Sequence, residues 1–278
     1  MDIALILIAA FAAGGLNTIA GGGTFLTFPA LVFIGVPPVL ANATSTVAAL
    51  PGYLAGAVGF RAELAQMERA VVLRLVVITL VGGVLGAILL LVSSNEAFSV
   101  IVPFLLLAAT LVFMFGDRLR AWAASKSRAV TPYGTAAMLM VSIYGGYFNG
   151  GLGIVLLALF ALWGIVNIHE MNGLKTALSF ALAAISMLVY AAGGLVVWHH
   201  ALAMMLAATA GGYAGAPLSR ALPKPVVRGL VAAVGFGMSA IFFWRPPLAP
   251  PSAPPRYRSA DSLLARGLTG RACADACR

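Results

Sequence analysis

The sequence is poor in charged residues, and the acidic ones are especially scarce. Asp, Glu, Lys and Arg make up 9% of the 278 residues, whereas hydrophobic residues make up 62%. A soluble domain carries about 25% charged residues, so this chain has too few polar side chains to cover a water-facing surface. The composition therefore excludes an ordinary soluble domain and predicts a protein whose surface is mostly in contact with lipid.

Cysteine and histidine are also scarce, which excludes several kinds of site. The two cysteines, Cys273 and Cys277, lie close to the C-terminus, and the chain has three histidines. The sequence contains no zinc-like cysteine–histidine spacing, no Rossmann-like glycine pattern and no P-loop. We therefore expect no enzymatic activity, no cofactor or metal, and no transport driven by nucleotide hydrolysis.

The formal net charge is nevertheless +9. Lys and Arg cluster in short loops and in the C-terminal tail, which is typical of loops that lie beside lipid headgroups on the cytoplasmic side of a membrane. We therefore expect the chain to be surrounded by a lipid bilayer and not to bind nucleic acid.

Eight apolar segments follow one another along the chain. They cover residues 3–35, 37–60, 70–92, 98–115, 131–163, 171–194, 201–221 and 226–244. Most are close to the ~20 residues that cross a hydrocarbon core. The first and fifth are much longer, about 50 Å each as single helices, and glycines interrupt both near their centres. We predict that each forms a hairpin of two half-helices, about 12–14 residues long, that enters and leaves the membrane on one side.

The glycine-rich interruptions are part of a longer internal repeat. Three blocks recur about 130 residues apart: 15–23 with 145–153, 42–46 with 172–176, and 82–87 with 211–216. Three blocks in register predict that the chain is a duplication of one unit. The fold class is therefore all-α, a polytopic membrane protein of two repeats, each with a glycine-broken hairpin plus three spanning helices.

Loop charges indicate how the two repeats are oriented. In the first half the loop after the second segment is positive (Arg61, Arg69), whereas in the second half it is the loop after the third segment (Lys224, Arg228). Because positive loops stay in the cytoplasm, the repeats are predicted to be inverted. The loops at Gln66 and Lys224 are then cytoplasmic, and those at Asn95 and His199 lie on the other side. The alternative is eight plain crossings with both termini in the cytoplasm.

The predicted organisation has four parts. Residues 1–115 form the first transmembrane repeat, 116–130 a basic cytoplasmic linker, and 131–244 the second transmembrane repeat. Residues 245–278 form a Pro- and Arg-rich tail that we expect to be disordered.

The two glycine breaks supply the first group of candidate binding residues. Half-helices that begin after each break would point backbone N–H groups inward, and helix N-termini attract anions. The alternative is that the glycines only permit close helix packing. The candidates are Asn17, Gly21, Gly22, Gly23 and Thr24 at the first break, and Asn149, Gly151 and Gly153 at the second. The two asparagines would each either face the anion or cap a broken helix.

Polar residues in the helices after the hairpins supply the second group. They are Asn42, Thr44 and Ser45 in the first half, and Asn172, Lys175 and Thr176 in the second. Amides and hydroxyls donate hydrogen bonds to anions, or join helices without any ligand. A lysine in an apolar helix costs several kcal/mol unless it reaches the interface, and it usually marks a function. We hypothesise that the Lys175 ammonium faces a central cavity opposite the bound anion; the alternative is an interfacial anchor.

These motifs resemble the sulfite exporter TauE/SafE family, also called the toluene-sulfonate uptake permease family. The resemblance covers about residues 5–244 and is carried by residues 17–23, Pro29 and 42–45. The second half repeats it more weakly at 151–153 and 175–176. The resemblance implies a duplicated protein of the bacterial inner membrane that handles sulfite, sulfonates or other organosulfur anions.

The residues and the resemblance favour a secondary carrier of a small anion, multi-pass in the cell inner membrane. Without a nucleotide-binding motif, the driving force is expected to be the substrate gradient or a coupling ion such as a proton. A passive anion channel is the alternative, and it differs from a carrier because its flux does not saturate.

Overall fold

The computed structural model describes residues 2–19, 23–125, 133–221 and part of 229–244. Over these residues the chain is helical and contains no strand, which confirms the all-α class. In chain order the helices are α1 (Asp2–Ile19), α2 (Thr24–Phe33), α3 (Pro38–Ala48), α4 (Leu50–Gly59), α5 (Arg61–Gln66), α6 (Arg69–Val92), α7 (Asn95–Met114), α8 (Gly116–Ser125), α9 (Thr135–Tyr147), α10 (Leu152–Leu162), α11 (Ile168–Ala192) and α12 (Trp198–Ala221). Within the described residues, α6, α11 and the Asn95–Val112 part of α7 are long and apolar enough to cross a bilayer.

Both long apolar segments are broken, but the two arms of the first differ in length. Helix α1 has 18 residues and α2 has 10, so the prediction of two arms of similar length is wrong for this hairpin. Helices α9 and α10 have 13 and 11 residues. Helix α1 continues through Gly14 because this glycine is used for helix packing: a Cβ there would lie 1.9 Å from the backbone oxygen of Ala208.

Two close helix pairs join the halves of the chain. Helix α1 packs on α12, and α6 packs on α9. A Cβ on Gly86 would lie 2.2 Å from the backbone oxygen of Ile143, so α6 and α9 also approach at backbone distance. Small residues allow such approaches between membrane helices. Each pair joins the first helix of one half to the third apolar segment of the other half.

The second apolar segment differs between the halves. We expected one spanning helix over residues 37–60, but the structure interrupts it at Ala49, between α3 and α4. Pro51 in the first turn of α4 explains the interruption, because proline has no N–H and its ring clashes with the carbonyl of the preceding turn. The corresponding helix of the second half, α11, has alanine at position 181 and is continuous over 25 residues.

Helices α4 and α11 pack against each other in opposite directions. A Cβ on Gly173 would lie 3.1 Å from the Cβ of Phe60, and one on Gly56 would lie 2.7 Å from a methyl carbon of Thr176. Further along, Tyr53 and Ala183 belong to one small buried cluster. The residue numbers fall along α4 as they rise along α11, so the two corresponding helices are antiparallel. The inverted insertion of the two repeats and their boundaries stay predictions.

Part of the linker is helical. Helix α8 covers its first ten residues and packs against α10. Residues 126–130 of the linker and the predicted tail, 245–278, lie outside the described residues.

Candidate functional site

The two glycine breaks lie next to each other in the fold. The Phe28 ring in α2 packs edge-to-face on the Phe148 ring in the second break, with 5.9 Å between ring centroids. A Cβ on Gly151 would lie 3.5 Å from the Phe25 ring. The start of α2 and the α9–α10 break therefore form one region, although they are more than 100 residues apart in sequence.

The first break is closed by an asparagine cap. The Asn17 side-chain oxygen accepts a hydrogen bond from the Gly23 N–H at 2.8 Å, just before α2 begins. A Cβ on Gly23 would lie 2.6 Å from the backbone oxygen of Ala13, so this close return of the chain requires glycine. Asn17 therefore caps the broken helix. Gly21 and Gly22 lie outside the described residues.

The second break is held by its backbone conformation and by two tyrosines. Gly151 precedes α10 in the left-handed conformation, with φ +72°, where a side chain is strained. The Tyr144 hydroxyl donates to the Gly150 carbonyl, and the Tyr190 hydroxyl donates to the Gly146 carbonyl. Gly153 is buried in the first turn of α10. These contacts fix the carbonyls on both sides of the break.

Tyr53 connects the two breaks and is not among the residues predicted from the sequence. The Asn149 side-chain nitrogen donates to the Tyr53 hydroxyl at 3.3 Å. The Thr24 side chain, at the start of α2, lies near the same hydroxyl. A tyrosine in an apolar segment looks like a packing residue. The available signal was its spacing of three helical turns after Asn42, which places both on one helix face.

The candidates in α3 make three different contacts. The Asn42 side-chain nitrogen donates to the Tyr147 carbonyl at the second break, at 2.9 Å. The Thr44 hydroxyl accepts from the Val197 N–H at 3.1 Å. Ser45 shares a 2.5 Å hydrogen bond with the Thr27 hydroxyl in α2. Ser45 thus joins α3 to α2 and Thr44 joins α3 to the segment before α12, whereas Asn42 belongs to the region of the breaks.

Two amide oxygens in this region have no donor among the described residues. They are the side-chain oxygens of Asn42 and Asn149, and both residues are buried. The Asn42 amide cannot simply turn over, because its nitrogen would then leave the Tyr147 carbonyl. Buried polar atoms are nearly always hydrogen-bonded in folded proteins, so each exception needs a reason.

Lys175 is buried and is not paired with a carboxylate in the described part of the chain. Its side chain is 4% exposed, and the ammonium donates to the Asn172 side-chain oxygen at 2.9 Å. All acidic residues lie near helix starts, in α5 or in the tail: Asp2, Glu63, Glu68, Glu96, Asp117, Glu170, Asp261 and Asp275. The buried charge is therefore balanced locally by an amide dipole.

Lys175 lies at a different level from the breaks. A Cβ on Gly145, before the second break, would lie 3.0 Å from a methyl carbon of Leu182. Lys175 precedes Leu182 by about 10 Å along α11. Its side chain extends toward Asn172, the end of α11 remote from Tyr53. Thr176 donates to the Asn172 carbonyl in its own helix. The structure therefore brings together Thr24, Asn42 and Asn149, and it leaves Asn172, Lys175 and Thr176 as a second polar group.

Known proteins match this chain along most of its length. A family model described as sulfite exporter TauE/SafE matches residues 6–242. A "Probable membrane transporter protein" of Haemophilus influenzae is 28% identical over 250 residues, which cover 86% of this chain and 96% of the relative. The "Probable membrane transporter protein YfcA" of Escherichia coli K12 is 25% identical over 240 residues, 86% of this chain and 88% of the relative. No solved structure matches.

Proposed function

Because the chain belongs to the sulfite exporter TauE/SafE family, we propose that this multi-pass membrane transporter is a secondary carrier of a small anion in the cell inner membrane. The substrate class is sulfite, a sulfonate or another organosulfur anion. The name of the matched family supports this class, and the names of the relatives support transport. The residues of this chain support a substrate with a negative charge.

The single observation that carries the proposal is the buried ammonium of Lys175. A charge in a low-dielectric region costs several kcal/mol unless an opposite charge is nearby. No described carboxylate pairs with Lys175, and its hydrogen-bond partner Asn172 is neutral. An anionic substrate would supply the missing charge. This fixed positive charge therefore favours anions over cations and neutral solutes.

The convergent breaks supply the second part of the route. Thr24 and Leu152 begin the half-helices α2 and α10, whose N-terminal ends favour negative charge. Tyr53 and Asn149 add polar side chains at the same level. Broken helices that meet in this way are the usual binding region of secondary carriers. In the proposed mechanism the anion passes between the Lys175 level and the level of the second break, which are about 10 Å apart along α11.

Uptake into liposomes that contain the purified protein tests the proposal. The panel is sulfite, thiosulfate, sulfonates and carboxylates, with a monovalent cation and a neutral solute as comparisons and protein-free liposomes as the control. We expect saturable uptake of at least one sulfur oxoanion and none of the cation. Anion flux that never saturates would indicate a channel. Selective cation uptake without anion flux would contradict the proposal.

A further inference from the structure

Two acceptor atoms at or beside the second break are not yet used by the proposed transport route. The Asn42 and Asn149 side chains are 0% and 1% exposed, and no described donor reaches either side-chain oxygen. Asn42 is bonded to Tyr147, which is two residues from Asn149. The Cα atoms of Tyr147 and Asn149 are therefore at most about 7 Å apart. The two acceptors consequently lie in one small region.

The same region offers at least one hydroxyl proton for a ligand. The Tyr53 and Thr24 side chains lie near each other, and each hydroxyl carries one proton. Even where one of them donates to the other, the proton of the second hydroxyl is left for another acceptor. The Asn149 nitrogen already donates to the Tyr53 oxygen. A ligand here thus meets both donors and acceptors.

A fully deprotonated oxoanion does not fit this combination. Its oxygens are all acceptors, so they would repel the two amide oxygens and leave them without donors. An oxoanion that keeps one O–H satisfies an amide oxygen with that hydroxyl, and its other oxygens accept from Tyr53 or Thr24. The charge also favours this form, because Lys175 lies at a separate level and a monoanion costs less to bury beside the breaks than a dianion.

We infer that the site takes its substrate as a hydrogen oxyanion, a singly charged oxoanion whose O–H donates to the Asn42 or the Asn149 side-chain oxygen. The inference rests on the proposed function and narrows it, since it favours hydrogen sulfite over the sulfite dianion and over sulfonates, which have no O–H. Each transported anion then carries one proton across the membrane. Proton-coupled transport consequently requires no titrating carboxylate within the helices.

Binding to the purified full-length protein in detergent, measured by calorimetry, tests this inference. Sulfite is compared with methanesulfonate on both sides of the pH at which hydrogen sulfite loses its proton. Methanesulfonate is a monoanion without an O–H throughout, so its profile reports titration of the protein itself. The ionisable groups to which that control applies are Lys175 on α11, His199 and His200 at the start of α12, Glu96 at the start of α7, and the phenols Tyr53, Tyr144, Tyr147 and Tyr190.

We expect the Kd for sulfite to rise about tenfold per pH unit above that ionisation, as linkage of one proton requires. Methanesulfonate should bind about 10- to 100-fold more weakly than hydrogen sulfite, because it leaves buried acceptors unpaired. Equal, pH-independent affinity for both anions would overturn the inference and leave the proposed function intact. Methanesulfonate binding that requires Na⁺ would also overturn it, since a cation would then occupy the amide oxygens. Failure of every anion to bind would instead refute the proposed function.

Variants of Asn149 and Asn42 identify which side-chain oxygen accepts the O–H of the anion. Asn149→Leu should reduce the preference for hydrogen sulfite over methanesulfonate about tenfold, the value of one hydrogen bond. Asn42→Leu provides a second test where Asn149→Leu fails to fold. Thr110→Val is the matched control, because this buried hydroxyl donates only within α7, to the Leu106 carbonyl. An unchanged preference in both folded leucine variants would overturn the assignment of the two oxygens.

Discussion

Asn42 and Asn172 lie 130 residues apart, at corresponding positions of the predicted repeat, but they have different partners. Asn42 reaches across to the Tyr147 carbonyl in the second break, whereas Asn172 accepts from Lys175 in its own helix. Three residues further on, Ser45 in the first half corresponds to Lys175 in the second. Corresponding positions of the predicted repeat therefore hold neutral groups in α3 and the buried charge of Lys175 in α11.

The backbone of the two elements differs in the same way. Pro51 interrupts the first element between α3 and α4, and Tyr53 follows this interruption and contacts Asn149. Helix α11 is continuous and has Ala183 where the first half has Tyr53. The comparison indicates that the broken element supplies hydrogen bonds to the breaks, while the continuous helix carries the charge at a separate level.

The largest expected effect concerns how the two halves of the chain are oriented in the membrane. Single cysteines at positions 66, 95 and 224, in a background without Cys273 and Cys277, are treated with a membrane-impermeant thiol reagent. Positions 66 and 224 should react from the cytoplasmic side and position 95 from the other side, because positive loops stay inside. Reaction of positions 95 and 224 from the same side would contradict the predicted inverted repeat. The comparison between the two halves would then no longer hold.

Removing the charge of α11 should have the next largest effect. Lys175→Met keeps much of the stem without the ammonium, so we expect a folded protein that no longer shows anion-induced thermal shifts. Lys175→Arg should keep some binding with altered selectivity, since its planar fork presents donors differently. The corresponding change, Ser45→Ala, loses one contact with Thr27 and should change affinity far less. Undiminished shifts in a folded Lys175→Met variant would make Lys175 an interfacial anchor.

The sequence was sufficient to predict those features that depend on local chemistry. The starts of α2 and α10, at Thr24 and Leu152, follow the two glycine breaks as predicted. The membrane class follows from hydropathy in the same direct way. Both depend on a few consecutive residues, so they required no knowledge of which helices pack together.

The site could be predicted only in part, because it depends on contacts between the halves. Asn17 and Asn149 both lie in glycine breaks, yet one caps α2 and the other donates to Tyr53. The distance between Lys175 and the second break follows from the packing of α9 on α11, which no local pattern encodes. The length of α1 was also predicted wrongly, because Gly14 serves contact with α12 and does not break the helix.

Removal of the Tyr53 hydroxyl tests the broken element. Its expected effect on anion affinity is smaller than that of removing the buried charge. Tyr53→Phe leaves the Asn149 nitrogen unpaired and removes one donor, so anion affinity should fall about 10- to 100-fold. Tyr190→Phe is the control, because it removes an equally buried hydroxyl from the same break, where it bonds to the Gly146 carbonyl. That variant should lose stability while affinity stays unchanged. Equal losses of affinity in both variants would show that Tyr53 acts only on the fold.

The smallest expected effect comes from making the broken element resemble the continuous one. Pro51→Ala restores a backbone N–H and permits α3 and α4 to join as one helix, as α11 does with Ala181. The protein should be at least as stable, since alanine is the better helix former. Straightening would move Tyr53 away from Asn149, and weakening that hydrogen bond by about 0.5–1 kcal/mol should lower anion affinity about 2- to 5-fold. Calorimetry and thermal unfolding of the two proteins measure both effects.

Pro103→Ala, which removes a proline from the interior of α7, is the control and should leave affinity unchanged. Unchanged affinity in Pro51→Ala would show that the interruption at Ala49 is not what positions Tyr53.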